Sequence, residues 1–342
     1  MTKQNQRRRL IFFATGTVTI VALICGLTVV LIRSAIMGER LDPSGEYEGV
    51  EVRTLIELSG KRAYPEALTI GPDGNIYVSG FCTGDIWQVT PTGEISVWSA
   101  GGENRVQAAS GLAFGPDGAL YVADHGDCNP RRSRSSLKRI AADGTTVETI
   151  GDIDEEDIPN SLTFDANGVL YLTDTQHGTV RWWDAERDRF LTWWSLPDVD
   201  NDNARPTGLA YDATTDSLIV ADTQSGTLYR VPFTAERGAG EATILYQQDT
   251  RELDGLTLDD QGYIYLTFFD LNKVARYNPA TGDLIYLAKN FREPSDVAYL
   301  DGVVYVTNFD GLSLAPLVGW VIDPSLPFTV DAVVLPETLL RD

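Results

Sequence analysis

The chain has 342 residues, 43% of them hydrophobic, with 27 basic against 49 acidic side chains and a formal net charge of −22. The first 40 residues hold six of the basic and one of the acidic residues, so the remainder carries −27. That balance excludes unaided binding to nucleic acid or anionic lipid and leaves cations, neutral small molecules and basic surfaces as partners.

Leu10 to Ile32 is an uninterrupted apolar run without a charge. Its length is that of a helix crossing a hydrocarbon core of about 30 Å. Lys3, Arg7, Arg8 and Arg9 precede it, and Arg33, Glu39 and Arg40 follow. The heavier positive count on the N-terminal side predicts a cytoplasmic tail over residues 1–9, a transmembrane helix over 10–32 and a juxtamembrane linker over 33–49. A cleaved signal peptide is the rival, but its apolar core spans only about 7–15 residues and ends in small residues. No Ala-x-Ala site follows this run. Arg7-Arg8 ahead of Leu10 and Ile11 also fits a twin-arginine signal. The expectation is a signal anchor that displays the rest of the chain outside the cell membrane.

From about residue 50 one phrase recurs six times: PEALTIGPDGNIYVSG, ASGLAFGPDGALYVAD, PNSLTFDANGVLYLTD, PTGLAYDATTDSLIVAD, LDGLTLDDQGYIYLTF and PSDVAYLDGVVYVTN. Each reads as an apolar strand, a turn such as Pro72-Asp73-Gly74, and a second strand rich in Tyr, Val, Leu and Ile. A third strand (IWQV, VRWW, LYRV, VARY) and a fourth (ISVWS, TVETI, FLTWWS, ATILY) follow. Spacings of 44, 50, 47, 47 and 41 residues between Glu66, Ser110, Asn160, Thr207, Asp254 and Ser295 predict an all-β, six-bladed β-propeller over residues 50–342. Val52–Ser59 is the expected outer strand that closes the ring, with TVDAVVLP near Pro336 as its competitor.

The first strand of each propeller blade lines the central channel, so the six residues just before these strands converge on the axis. Glu66, Asn160 and Asp254 fall on blades one, three and five; Ser110, Thr207 and Ser295 fall on blades two, four and six, with Asp296 beside the last. Oxygen donors of this kind suit a hard cation, and Ca²⁺ takes about six to eight of them in irregular geometry. Polar channel residues that only bind water and neighbouring backbone are the bland alternative. The even spacing of acid, amide and acid around the ring argues against it. Zinc is disfavoured: the two histidines, His125 and His177, stand in no zinc motif.

At these positions the chain resembles a family. Glu66 in PEALTIGPDG, Asn160 in PNSLTFDANG and Asp254 in LDGLTLDDQG are similar to the metal-ligating Glu, Asn and Asp of the SMP-30/gluconolactonase/LRE-like propellers, over roughly residues 50–320. Regucalcin-type gluconolactonases belong there, with squid-type diisopropylfluorophosphatase and the paraoxonases as more distant relatives. The repeats also look like strictosidine synthase-like and NHL-type propellers. Ala109-Ser110 departs from the Asn or Asn-Asp of the hydrolases at blade two, and Ser295-Asp296 puts an acid where a Ser-Asn pair is expected. The resemblance implies a Ca²⁺-dependent hydrolase of a lactone or ester. Glu66 and Asn160 would hold the ion, and Asp254 would serve as ligand and as base or nucleophile. Ser110, Thr207, Ser295 and Asp296 would surround it or touch substrate. The alternatives are a non-catalytic NHL-like propeller binding a protein or glycan, and a strictosidine synthase-like protein.

Other features carry weaker signals. His125 and His177 follow second strands and are candidate proton shuttles beside local structural roles. Asp124, Asp174 and Asp222 recur from blade to blade and should bond backbone amides. Cys82 and Cys128 occupy equivalent loops of blades one and two, as a disulfide or as two thiols. Asp152–Asp157 and the arginines 131, 132 and 134 read as surface loops. One member of each Trp182-Trp183 and Trp193-Trp194 pair should enter the core between blades.

Overall fold

The turn and strand phrases that recur in the sequence fold as six antiparallel sheets. A computed structural model describes residues 41–129, 134–151, 153, 157–197, 204–248, 253–315 and 323–341. The tail (1–9), the helix expected over 10–32, the first part of the linker and Arg131 and Arg132 lie outside them. Among the described residues no helix is long and apolar enough to cross a membrane.

Residues 42–311 and 324–342 form one compact unit, the propeller. Its inner strands are Pro65–Ile70, Ala109–Phe114, Pro159–Phe164, Pro206–Asp212, Leu253–Leu258 and Pro294–Leu300. Each touches the inner strand of the next blade, and the sixth touches the first, so the ring is closed. Blades one to four are four-stranded and run in order from inner to outer edge. Second strands such as Ile76–Gly80, Leu170–Asp174 and Ile264–Phe268 are buried at every position. Neighbouring blades cover both their faces, which is why these segments are rich in apolar residues, with Ser79, Thr173, Asp174 and Thr267 as their buried polar positions. The outer strand Ile95–Ser99 is exposed over its first three residues instead, leaving Ile95 and Val97 open to solvent.

Closure follows the expectation for Val52–Ser59. Glu51–Leu58 forms the outer strand of blade six by pairing with Phe328–Val334, which is the third strand there. The two competing segments are partners. Ser44–Gly45, within the stretch read as linker, adds a fifth strand to blade five by pairing with Lys289 and Ala288.

The core lies between blades. Ala67, Tyr77 and Ile86 of blade one pack on Leu112, Leu120, Val122 and Ile140 of blade two. Each such fully buried side chain contributes about 1.5–3 kcal/mol. The tryptophans correct the one-of-each-pair expectation. Trp182 packs on the core shared with blade four and Trp183 on the core shared with blade two. Trp193 and Trp194 both face the former core. A bulge opposite Val180/Arg181 breaks the alternation there, because Val180 pairs with Trp194 and Arg181 with Thr192. Gly311–Leu314 is a single 3₁₀ turn.

Candidate functional site at the axial mouth

Every inner strand begins with a register break. The pairing slips between Pro65/Leu68, Ala109/Gly111, Pro159/Leu162, Pro206/Leu209, Leu253/Leu256 and Pro294/Val297. Glu66, Ser110, Asn160, Thr207, Asp254 and Ser295 are therefore the second residues of these strands, inside bulges, rather than residues ahead of them. A bulge leaves a residue unpaired and re-aims its side chain.

The even blades use that freedom to hold the odd ones. Ser110 Oγ donates to Pro159 O at 2.8 Å, one residue before Asn160. Thr207 Oγ1 donates to Leu253 O at 3.3 Å, one residue before Asp254. Ser295 Oγ donates to Glu66 O at 2.7 Å. On the odd blades the same duty moves to the second strand. Ser79, Thr173 and Thr267 reach Ala109 O, Thr207 O and Ser295 O at 3.2, 2.7 and 3.4 Å. Relieved of it, the first-strand position carries Glu, Asn or Asp. Two glycines bring the backbones close: a Cβ on Gly111 would stand 2.0 Å from Asn160 O, and one on Gly208 would stand 2.3 Å from Asp254 O.

The carboxylates share one environment. Glu66, Asp254 and Asp296 are half-buried by surface, yet protein crowds them enough that lost hydration dominates. Burial, then the charges of Asp254 and Asp296, hold Glu66 well above the ordinary carboxylate range. Burial and then Asp296 do the same to Asp254, against a bond from Thr207. Burial pushes Asp296 up to about 7, against backbone bonds from Leu68 and Val297. Glu66 Oε2 is buried without a hydrogen-bond partner. Asn160, half-buried on the third blade, has no side-chain partner among the described residues. An orphaned carboxylate oxygen, a free amide and neighbouring acids that repel one another are the donor set a hard cation would satisfy.

The remaining candidates are occupied by structure. The Asp296 oxygens accept from Leu68 N at 2.9 Å and Val297 N at 2.8 Å, which ties blade six to blade one. His125 Nε2 lies 2.9 Å from Pro159 O and must donate to it, while burial lowers its pKa. His177 Nδ1 meets Asp174 Oδ2 at 2.8 Å and Asp157 Oδ1 at 3.1 Å. Asp157, Asp174 and His177 form an acid and histidine cluster whose ligand atoms lie within 4.8 Å of one another. Arg181 already places its charge there, paired with Asp157 and 3.7 Å from Asp174. Asp124, Asp174 and Asp222 bond backbone amides as expected: Asp124 holds Ala108 N and Gly126 N, Asp174 holds Ile158 N, and Asp222 holds Arg205 N. Cys82 and Cys128 form a disulfide between the loops of blades one and two.

Fold and site together define a six-bladed propeller with an acidic, bulge-built mouth on its axis. The family model described as SMP-30/Gluconolactonase/LRE-like region matches residues 189–298. A gluconolactonase from Xanthomonas campestris is similar at 14% identity and a TM-score of 0.64, covering 86% of this chain and 96% of its own. A luciferin-regenerating enzyme is similar at 14% identity and 0.63, covering 84% and 95%. A virginiamycin B lyase from Staphylococcus aureus is similar at 17% identity and 0.56, covering 82% and 83%. At such identities these likenesses establish the fold. No curated protein matches the chain by sequence.

Proposed function

We propose that the protein is a Ca²⁺-dependent hydrolase of lactones or esters, anchored by residues 10–32 with its propeller outside the cell. The observation that carries the reading is the unpartnered Glu66 Oε2 beside Asp254 and Asp296. Leaving that oxygen bare costs free energy unless a cation takes it. Glu66, Asn160 and Asp254 would hold the ion. The fold's likeness to gluconolactonases supports the reaction class, and the Cys82–Cys128 bridge supports an oxidising compartment.

Bound Ca²⁺ would supply Lewis acidity toward the substrate carbonyl. Asp254 takes a proton from water as its oxygen attacks the carbonyl carbon. The proton then passes to the departing alkoxide as the acyl C–O bond breaks, giving a hydroxy acid or an acid and an alcohol. Thr207 and Gly208 keep Asp254 in place from blade four, and Ser110 and Gly111 do so for Asn160 from blade two.

The test is thermal unfolding with calcium and with EDTA, followed by hydrolysis of γ- and δ-lactones and aryl esters. Calcium should raise the melting temperature and turnover should require it. A melting temperature indifferent to calcium would instead favour a binding propeller, and a calcium response without turnover a structural ion.

A further inference from the structure

The residue that follows the second strand of each blade stands one step outward from the candidate ligands. In blade order these residues are Phe81, His125, Thr175, Thr223, Phe269 and Phe309. Backbone bonds fix their level. Phe81 N donates to Tyr64 O at 2.9 Å, two residues before Glu66, and Phe309 N donates to Glu293 O at 3.2 Å, two before Ser295.

Their rings meet across blade boundaries. Centroids lie 6.5 Å apart for Phe269 and Phe309, 5.6 Å for Phe309 and Phe81, and 5.4 Å for Phe81 and His125. Such contacts between blades five, six, one and two require the side chains to lean together at the mouth. Tyr64 backs Phe309 at 5.9 Å. All three phenylalanines keep part of their surface uncovered. Glu293, whose carbonyl holds Phe309, is near enough to Glu66 to act on its charge, and Asp270, next to Phe269, acts on Asp254. The aromatic arc therefore lies at the same end of the inner strands as Glu66 and Ser295, while blades three and four present threonines at the same level.

We propose that this arc binds an aryl group of the substrate, so that the lactone or ester hydrolysed is neutral and carries a ring rather than a coat of hydroxyls. The proposal rests on the hydrolase reading above. A polyhydroxylated lactone would bury hydroxyls against phenyl faces that accept no strong hydrogen bond. An aryl group gains area burial and edge-to-face contact there. An anionic group would meet Asp270 and Glu293 beside the arc.

The test uses the full chain with calcium and two substrates that differ only by the ring, γ-phenyl-γ-butyrolactone and γ-butyrolactone. The wild type should show a KM about tenfold lower for the phenyl compound. Phe309→Ala, at the centre of the arc, and Phe269→Ala, at its end, should each remove most of that difference. Phe269 meets Phe309 as its ring partner, so its variant keeps the test open if the central one is unstable. Equal KM values in the wild type, or variants that move both lactones by the same factor, would overturn the proposal. Calorimetry with 4-phenylbutan-1-ol, which has no bond to hydrolyse, runs in parallel. If neither lactone turns over, the hydrolase reading fails. Weaker binding of the alcohol in both variants then still supports the arc, and unchanged binding overturns it.

Discussion

Ser295 donates its hydroxyl proton to the backbone carbonyl of Glu66 at 2.7 Å across 229 residues of sequence. Thr307 Oγ1 lies 3.0 Å from the same carbonyl. The last blade thus sets the position of the first candidate ligand. Ser295→Ala should lower stability by about 1 kcal/mol. The Ser295→Ala/Thr307→Ala double variant should lose more than the sum of the single losses, because it strips the carbonyl of both donors. Urea melts of the three variants check this, and equal or smaller combined loss would refute the shared hold.

Removing a candidate ligand should have opposite effects with and without metal. In EDTA, Glu66→Gln and Asp254→Asn relieve a crowded set of buried acids and should stabilise the propeller by about 1 kcal/mol, or roughly 2–4 °C. With calcium the order should reverse, since the variants lose the ion. Asp157→Asn should leave the calcium response intact, because Arg181 supplies the cation there. Thermal melts with calcium and EDTA separate the two acidic places.

The metal-free protein should lose stability as the pH rises. Asp296 ionises near 3.8 when unfolded and near 7 when folded, so the native state binds the extra proton between those values. Stability therefore falls across that window and levels off above it. Glu66 and Asp254 shift in the same direction and add to the decline. Chemical unfolding in EDTA from pH 4.5 to 7.5 should show the slope, and Asp296→Asn should flatten it.

Cys82 and Cys128 should resist alkylation in the unreduced protein and react after reduction. The bridge closes a loop over 46 residues of sequence, and its loss through Cys82→Ser should cost about 2–4 kcal/mol. Mass spectrometry of alkylated chains and melts with and without reductant measure both.

The blades were legible because each repeat spells out its own turn and its own apolar second strand. Closure was legible because Val52–Ser59 is apolar enough for a strand and lies just before blade one. The duties of Ser110, Thr207 and Ser295 were not, since a hydroxyl at the axis looks like a ligand until the bulge turns it toward the next blade. The signal was nevertheless present: Ser79, Thr173 and Thr267 stand in the second strand where blades two and four have Ala123 and Ala221. Trp193 misled because a bulge suspends the alternation on which the reading of the tryptophan pair rested. The aromatic arc escaped because Phe81, Phe269 and Phe309 become neighbours only once six blades are laid around an axis.

The short pairing of Ser44–Gly45 with blade five, ahead of the longer pairing of Glu51–Leu58 with blade six, also sets how the disc bears load. Tension applied from the N-terminal end is met first at the rim, by the two residue pairs, the Glu46–Lys273 contact at 2.9 Å, the amides of Glu46 and Tyr47 on Leu287 O and the Asn290 amide on Asp42 O and Ser44 Oγ. It then reaches an outer strand and none of the six inner ones. The inner strands and the mouth they line stand behind both of these pairings.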